Sequence, residues 1–416
     1  MVYQSRIIEA EIQAGLENVG AVVIEGPRGC GKTETARQFS RSEVLLDGLS
    51  GSYEVAGVDP GILLEGPIPR LLDEWQLAPA LWNAVRRRVD SDQRKGQFIL
   101  TGSASADNDP ARHPGSLRFL RIAMRPMSLR ESRGGEAPVS MAGLFSGNFD
   151  NVQEAGMDAR EYLEAIVRGG WPGLQNIALT SASSLLTSYI QDIAQIDAKK
   201  NLETRKRPEF LLTLARSLAR NVSTEAGPGV LLADLRPSEG DVHPDTLRRY
   251  LGLLESLRIV ERQPAWLPHL RSASAPRKSS KIHFVDPSLA VASMGATIDT
   301  LLGDPRFVGL LFESLAVRDI RIYSQALGGR VSHYRDSDGL EVDAIVSCGE
   351  GTWIACEIKM GSGALDVAAK NLLRFREKVD TTRVGVPAEL VVITTGDFSY
   401  RREDGVLVIP LSHLGS

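Results

Sequence analysis

A glycine-rich segment that follows a short apolar run constrains the fold of this chain more than any other part of its sequence. Residues 26–33 read Gly-Pro-Arg-Gly-Cys-Gly-Lys-Thr, the pattern G-x-x-x-x-G-K-[ST], and residues 21–24 before them read Ala-Val-Val-Ile. The β-branched run predicts a strand, and residues 34–39 predict the first turn of a helix. Eight residues can match by chance in a chain with 39 glycines, but here both flanks comply. We therefore expect an α/β domain built on a strand, a loop and a helix.

The loop itself is a candidate phosphate-binding site. Its glycines let successive backbone N–H groups point at phosphate oxygens. Lys32 would neutralise the outer phosphates and act in catalysis, and the Thr33 hydroxyl can bind Mg²⁺. The sequence thus predicts ATP and Mg²⁺ as cofactors. The loop residues predicted to contact them are Gly26, Gly29, Gly31, Lys32, Thr33 and Glu34.

An acidic pair ends a later apolar run, Leu-Leu-Asp-Glu at residues 71–74. Nucleotide hydrolysis needs an acid that holds Mg²⁺ and a base that positions water, and a neighbouring strand end can supply both. We assign the metal to Asp73 and the catalytic base to Glu74. The alternative is an acidic strand end that only caps the helix expected near Pro79.

Two further features could complete this site. Residues 98–103, Phe-Ile-Leu-Thr-Gly-Ser, read as a strand with a polar end, so Thr101 or Ser103 could contact the terminal phosphate. Thr-Gly-Ser is equally typical of an ordinary turn. Arginines are dense between residues 112 and 133, and Arg118 is our candidate for an arginine finger that reaches the nucleotide of a neighbouring subunit. That role requires a homo-oligomer. The alternative is that these arginines form a solvated basic face, which requires no assembly.

Composition narrows the class of protein. The 416 residues, 43% hydrophobic and 24% charged, are typical of a globular protein with two or three domains. A formal net charge of −4 provides no overall basic field for nucleic acid. Cys30, Cys348 and Cys356 fit neither a disulfide framework nor a zinc site. With no run of 18 apolar residues and no signal-peptide pattern, we expect a cytoplasmic protein with no membrane partner.

Changes of periodicity divide the chain into three predicted domains. Strands predicted at residues 21–24, 43–46, 70–72, 98–100 and 118–122 alternate with helices, which indicates a parallel sheet in a nucleotide-binding domain of residues 1–150. A loop is expected at residues 134–148. Residues 151–275 read as a helical lid and a winged-helix segment. Residues 276–416 form the third predicted domain.

The middle segment is a candidate nucleic-acid contact. Apolar residues at helical spacing predict a helix over residues 246–257, the third of a winged helix-turn-helix, after helices at residues 207–219 and 229–235. Arg248 and Arg249 would lie on its outer face. Residues 205–281 hold 14 Lys and Arg against 8 Asp and Glu, an excess that suits a phosphate backbone. Winged helices can equally pack against partners or serve as lids, so both alternatives stay open.

A second candidate site lies far from the phosphate loop. Asp343, Glu357 and Lys359 follow the pattern Asp-x13-Glu-x-Lys across a predicted hairpin, and Glu313 lies on a helix expected upstream. Asp343 and Glu357 could bind Mg²⁺ while Lys359 activates water for phosphodiester hydrolysis. The order α-β-β-β-α-β, with a helix at residues 366–378, suits a restriction-endonuclease-like fold. The alternative is a salt-bridge cluster without catalysis.

Together these motifs resemble a widespread prokaryotic family of AAA-type P-loop ATPases whose C-terminal half is domain of unknown function 4143. The likeness spans nearly the whole chain, and the combination is specific although many families share the phosphate loop. The motifs that carry it are residues 26–33, Leu-Leu-Asp-Glu-Trp-Gln at 71–76, residues 100–103, Met-Arg-Pro-Met-Ser-Leu at 124–129, Gly-Gly-Trp-Pro at 169–172, and residues 341–343 and 357–359.

The resemblance implies an ATPase core, a winged-helix segment and a C-terminal nuclease-like domain of the PD-(D/E)XK type. It implies phosphate-loop roles for Gly31, Lys32 and Thr33 and Walker B roles for Asp73 and Glu74. It also implies metal-site roles in the nuclease-like domain, carried by Glu313, Asp343, Glu357 and Lys359. It does not supply a physiological role.

The sequence thus predicts an ATP-hydrolysing enzyme whose nucleotide state controls a nuclease-like domain that cuts or binds DNA. The alternative is a non-catalytic, ATP-dependent switch in which this domain only recognises DNA or a protein partner. A protein-remodelling chaperone is a third class, but no pore-loop pattern supports it.

Overall fold

A five-stranded parallel sheet organises the first part of the chain. The computed structural model describes residues 3–46, 51–102, 115–197, 208–266, 279–349 and 351–416. They divide into a first unit, Met1–Pro126 with Ser256–Arg258, and a second unit, Met127–Glu255 with Ile259–Ser416. The strands of the first unit are Ala21–Glu25 (β1), Ser42–Leu45 (β2), Arg70–Asp73 (β3), Phe98–Gly102 (β4) and Phe119–Ala123 (β5). Its main helices are Glu9–Asn18 (α1), Lys32–Arg37 (α2), Gly51–Val58 (α3) and Ala80–Ser91 (α4).

The sheet of the first unit has the strand order β2-β3-β4-β1-β5, with every neighbouring pair parallel. All of β1 is buried, because helices cover both faces of the sheet: Gly15 of α1 lies against Val22, and α4 shares a core with Val23. The ring of Trp82 on α4 lies 4.2 Å from that of Phe119, centroid to centroid. The α/β fold and the five strands predicted from the sequence are confirmed, each strand to within two residues.

A seven-stranded mixed sheet forms the centre of the second unit. The strands of this unit are Val139–Ser140 (β6), Val152–Met157 (β7), Val260–Gln263 (β8), Lys281–Phe284 (β9), Arg330–Arg335 (β10), Glu341–Cys348 (β11), Thr352–Ile358 (β12), Pro387–Thr394 (β13), Gly396–Arg401 (β14), Leu407–Pro410 (β15) and Leu414–Gly415 (β16). The strand order in the seven-stranded sheet is β10-β11-β12-β13-β15-β14-β7.

Twelve α-helices occur in the described part of the chain after Pro126. They are Leu129–Arg133 (α5), Met141–Phe145 (α6), Ala159–Arg168 (α7), Leu179–Asp192 (α8), Pro208–Arg220 (α9), Pro228–Glu239 (α10), Pro244–Ser256 (α11), Pro287–Met294 (α12), Ile298–Leu302 (α13), Pro305–Gln325 (α14), Leu365–Lys378 (α15) and Thr381–Val384 (α16). Apart from the short helix α16 between α15 and β13, the order α14-β10-β11-β12-α15-β13 is the α-β-β-β-α-β order expected from the sequence. None of the helices in the described ranges combines the length and apolar character that a membrane crossing requires.

The boundary between the units differs from the one expected at residue 150. β7 pairs with β14, and β6 pairs with β16 at the far end of the chain. Residues 134–148, expected to be a loop, also contain β6 and the short helix α6, which Ser140 caps by accepting a hydrogen bond from the backbone N–H of Gly143 at 2.9 Å. Long-range strand pairing of this kind leaves no periodic signal in the sequence. As functional domains, the three segments stay a prediction.

Three helices and an antiparallel strand pair make up most of the middle segment. α9, α10 and α11 are followed by β8 and β9, which pair with Val260 opposite Phe284. Phe210 of α9 packs edge-on against Tyr250 of α11 at 4.6 Å between ring centroids. This order is the one expected for a winged helix, and the winged-helix assignment itself stays a prediction.

Candidate functional site

The phosphate loop is shaped by glycine conformations. Gly29 and Gly31 have φ angles of 76° and 103°, which side chains disfavour. A Cβ on Gly26 would lie 2.2 Å from the carbonyl oxygen of Met124, so only glycine fits there. Lys32, 5% exposed, donates to the carbonyl oxygens of Gly26 and Pro27 at 3.0 and 2.9 Å. The loop thus already holds its lysine beside the space that it encloses.

Strand order brings the predicted acid and the predicted polar strand end together. β4 lies between β1 and β3, with Thr101 paired to both Ile24 and Asp73. The Thr33 hydroxyl donates to Oδ1 of Asp73 at 2.8 Å, and the Thr101 hydroxyl donates to the same oxygen. Ser103, the alternative to Thr101, lies outside the described residues.

Glu74 adopts an unusual backbone conformation at the end of β3. Its φ of 56° is in the left-handed region, where a non-glycine residue is strained by roughly 1–3 kcal/mol. Its carboxylate accepts a hydrogen bond from the side-chain amide of Gln76. Such strain persists where the surrounding structure requires it, which agrees with a functional role for Glu74.

Arg118 and Glu34 are placed less favourably for nucleotide contact within their own chain. Arg118 precedes β5 at the edge where the parallel strands begin, opposite the phosphate loop, and its guanidinium pairs with Asp90 at 2.8 Å. Glu34 follows Thr33 in α2, but its carboxylate bonds to Arg37 at 2.5 Å. A role for Arg118 in a neighbouring subunit stays a prediction.

Sequence reasoning missed a charged cluster at the start of the phosphate loop. Glu25, only 4% exposed, ends β1 directly before Gly26. Its two carboxylate oxygens bind Arg121 at 2.8 Å and Arg258 at 2.7 Å. An acidic residue inside an otherwise apolar strand was the available signal. Its partners could not be read from the sequence, because Arg258 lies 233 residues away.

The residues at this site fit a Mg²⁺–nucleotide. Thr33, Thr101 and Asp73 offer oxygen donors, the ligand type that Mg²⁺ prefers. Gly29 and Gly31 have the positive φ angles that let the N–H groups of such a loop turn toward phosphate oxygens. Lys32, held by the carbonyl oxygens of Gly26 and Pro27, supplies a positive charge beside them. These groups converge from β1, β3 and β4 at one edge of the sheet.

The second predicted site is also assembled. The hairpin of β11 and β12 pairs Ala344 with Cys356, next to Asp343 and Glu357. Lys359 lies 2.8 Å from Asp343 and 2.8 Å from Glu357, ammonium nitrogen to carboxylate oxygen. The backbone N–H of Ile358 donates to Asp343 at 2.8 Å. Glu313 on α14 is buried in the same cluster.

Two members of this cluster were not expected from the sequence. The ammonium of Lys281, on β9, lies 2.8 Å from Glu313, 2.8 Å from Glu341 and 3.6 Å from Asp343. Lys281 is 2% exposed. The two unexpected members are Lys281 and Glu341. A charged residue in a short strand is common, so neither of them was a signal by itself. Four carboxyl groups therefore share two ammonium groups.

Burial controls the proton affinities of these groups. Burial and the nearby Asp343 raise the pKa of Glu313 to about 8 and that of Glu357 to about 8, against the opposing effect of the lysines. Burial also acts to raise the pKa of Asp343, but Lys281 and Lys359 outweigh it and the pKa is lowered. Burial would lower the pKa of Lys281, yet its carboxylates, Glu313 foremost, raise it.

The acidic cluster does not fit a divalent metal ion as it stands. The ammonium of Lys281 lies between Glu313, Glu341 and Asp343, and that of Lys359 lies between Asp343 and Glu357. Across the described ranges, no group of three or more His, Cys, Asp and Glu side chains is arranged to hold a metal. The metal roles predicted for Glu313, Asp343 and Glu357 therefore lack the open ligand positions that they need.

Models of three protein families match successive parts of the chain. Residues 18–132 match the AAA domain, and residues 308–414 match domain of unknown function DUF4143. The chain carries an AAA-type ATPase domain and a DUF4143 domain. Residues 159–300 between them match another domain of unknown function, DUF8612. Lys281 thus falls in the DUF8612 match, whereas the carboxylates that it binds fall in the DUF4143 match.

Curated relatives resemble the chain over most of its length. It is 24% identical over 420 residues to the uncharacterized proteins Mb2031c of Mycobacterium bovis and Rv2008c of Mycobacterium tuberculosis, covering 95% of this chain and 86% of each relative. Among solved structures, the Walker-type ATPase PABY2304 of Pyrococcus abyssi aligns with 14% identity and a TM-score of 0.42, covering 70% of this chain and 96% of that one. The predicted AAA-type ATPase and DUF4143 domains are confirmed by the family matches, and the winged-helix and PD-(D/E)XK assignments stay predictions.

Proposed function

We propose that the first unit binds and hydrolyses ATP with Mg²⁺, and that its nucleotide state controls DNA binding by the rest of the chain. One observation carries the ATPase proposal: Thr33 and Thr101 both donate to one oxygen of Asp73 beside the phosphate loop. A hydroxyl, a carboxylate and loop N–H groups in one place are what a Mg²⁺–nucleotide requires. The AAA domain match covers all of these residues.

Each residue then has a distinct task. Thr33 and Asp73 would hold Mg²⁺, which when bound neutralises charge on the outer phosphates. When nucleotide binds, the ammonium of Lys32 would leave the carbonyl oxygens of Gly26 and Pro27 and bind phosphate oxygens, so its charge would have partners in both states. Glu74 would orient the attacking water and accept its proton. Thr101, between the loop and Asp73, would sense the terminal phosphate.

Phosphate release from ATP tests the ATPase half. We expect Lys32→Ala to abolish hydrolysis and nucleotide binding together, because the loop loses its cation. Glu74→Gln should reduce kcat by about 100-fold or more while nucleotide still binds. Glu65→Gln, an exposed acid paired with Arg88, is the matched control and should behave as wild type. Turnover that persists in both Lys32→Ala and Glu74→Gln would refute the assignment.

The DNA-binding half is supported by the order of α9, α10, α11, β8 and β9 and by two exposed arginines on α11, Arg248 and Arg249. Arg248 is partly neutralised by Asp245. Within residues 208–266 and 279–281, 8 Lys and Arg are balanced by 8 Asp and Glu. The basic excess seen in the sequence therefore comes from residues outside the described ranges.

DNA binding measured with ATP, ADP and a non-hydrolysable ATP analogue tests the proposed control. We expect the affinity to differ between the ATP-like and ADP states in the wild type and to be the same in Lys32→Ala. If DNA does not bind in any of the three nucleotide states, the alternative replaces this proposal. In that alternative the chain is an ATP-dependent switch that recognises a protein partner. The lysine-bridged acidic cluster favours a domain that binds DNA over one that cuts it.

A further inference from the structure

Lys281 is a buried cation that the ATPase and DNA-binding proposals do not use. It projects from β9 into the acidic cluster, where its ammonium contacts Glu313, Glu341 and Asp343. Isolated buried charges are strongly unfavourable, and a lysine that is 2% exposed is stable only where several carboxylates neutralise it. The carboxylates need the ammonium for the same reason.

Gln263, the strand partner of Lys281, connects this part of the chain to the acidic cluster. Lys281 pairs with Gln263 in the antiparallel sheet of β8 and β9. The amide of Gln263 donates to the backbone oxygen of Asp343 at 2.8 Å, and its carbonyl oxygen lies 2.9 Å from the ring of His283. The pair of strands that includes the lysine is therefore attached, through Gln263 of β8, to the strand that carries the central carboxylate.

Lys281 occupies the space that a bound metal ion would need. A divalent ion on Glu313 and Asp343 would require their oxygens at about 2.0–2.6 Å. The ammonium already takes one oxygen of Glu313 at 2.8 Å and lies 3.6 Å from Asp343. Two cations would then share one small buried space, where their repulsion is poorly screened. Lys359 fills the gap between Asp343 and Glu357 in the same way.

We propose that Lys281 stands in for a divalent cation in the DUF4143 domain, so that the native cluster binds no Mg²⁺ or Mn²⁺ and removal of this ammonium creates a metal site. Because DNA binding needs no metal, this is compatible with the proposed function but does not depend on it. In this proposal the cluster has a structural role. The ammonium of Lys281, which lies in the DUF8612 segment, neutralises the buried carboxylates.

Calorimetric titration of the nucleotide-free full-length protein with Mn²⁺ tests the proposal. We expect no Mn²⁺ site that depends on Asp343 in the wild type. In Lys281→Met, which keeps about the length of the side chain but removes its charge, we expect a Mn²⁺ site at least tenfold tighter than any Mn²⁺ binding by the wild type. The double variant Lys281→Met with Asp343→Asn should lose this site. Lys378→Met is the matched control, because Lys378 also bridges two carboxylates, Asp336 and Asp338, at an exposed position; it should gain no comparable site.

A wild-type Mn²⁺ site that disappears in Asp343→Asn would overturn the proposal whatever the variants do. A folded Lys281→Met protein that binds no Mn²⁺ would also overturn it. If Lys281→Met does not fold, the double variant Lys281→Met with Glu341→Gln, which removes one charge of each sign and keeps Glu313 and Asp343, takes its place. Its melting temperature should rise with Mn²⁺ by more than that of the wild type, and an equal rise counts against the proposal. Neither result depends on ATP hydrolysis, so the ATPase proposal can fail separately.

Discussion

At the scale of single residues, a substitution of Thr101 tests whether this residue senses the terminal phosphate or only belongs to an ordinary turn. Its buried hydroxyl donates to Asp73, which also accepts from Thr33. We expect Thr101→Val, which keeps the shape of the side chain, to lower kcat by about 10-fold or more while ATP affinity changes by less than threefold. Phosphate release and fluorescent-nucleotide binding measure the two quantities. An unchanged kcat would leave Thr101 with a structural role only.

Glu25 offers a second test near the phosphate loop. Its carboxylate holds Arg121 and Arg258 and is 4% exposed. Arg258→Ala should lower kcat/KM for ATP by several-fold, because the charge directly before Gly26 loses a partner. Arg88→Ala, which removes an exposed pair with Glu65, should have no such effect. Equal activity in the two variants would contradict this role.

The acidic cluster predicts a pH dependence of stability. Burial, with Asp343 second, raises the pKa of Glu313 and Glu357 from 4.5 to about 8. Between these values the folded state holds protons on Glu313 and Glu357 that the unfolded state releases. The contribution of these two groups to stability is therefore full below pH 4.5 and is lost as the pH rises through 8. We expect the free energy of unfolding to fall over this window in metal-free buffer, and to fall less in Glu313→Gln. Chemical unfolding at several pH values measures it. An identical slope in Glu313→Gln and wild type would exclude Glu313 as a source.

At the scale of elements, the Gly-Gly-Trp-Pro motif is explained as an anchor between distant segments. The carbonyl oxygen of Gly170 accepts from the N–H of Met127 at 2.6 Å, and the N–H of Gly170 donates to Asp286 at 2.9 Å. The indole of Trp171 donates to Ser288 at 3.0 Å. The motif therefore joins the residue after Pro126 to the start of α12. Sequence reasoning used this motif only as part of the family resemblance.

Gly170→Ala should be strongly destabilising. A Cβ at this position would lie 1.9 Å from the carbonyl oxygen of Met127, so the backbone must shift. We expect a loss of about 2–4 kcal/mol in the free energy of unfolding. Gly173→Ala, in the same turn but facing open space, is the matched control and should be nearly neutral. Equal stability of the two variants would show that the close contact does not constrain the motif.

At the scale of the whole molecule, DNA affinity should depend on ionic contacts from the middle segment. We expect Arg248→Ala with Arg249→Ala to weaken DNA binding by about tenfold or more and to reduce the salt dependence by roughly two ion contacts. Arg306→Ala, an exposed arginine on α14, is the control. Fluorescence anisotropy at several salt concentrations measures both. If the control weakens binding as much as the double variant, α11 is not the contact.

The sequence predicted local structure well. It predicted contacts between distant segments only where a known motif indicated them. The five strands of the first unit were found because each is a short apolar run between turn residues. The pairing of β7 with β14 was missed because residues 152–157 carry no signal for a partner some 240 positions away. The hairpin with Asp343 and Glu357 was recognised from its spacing, but Lys281 was not.

What the sequence by itself determined is the phosphate loop with its strand and helix, because contiguous residues with strong backbone preferences build it. It also determined which acids could serve that loop, because parallel strands end at one edge of a sheet. Only the tertiary structure decided what neutralises the second acidic site. Lys281 and Glu313 lie 32 positions apart on different elements, and a buried charge is paired by packing in three dimensions.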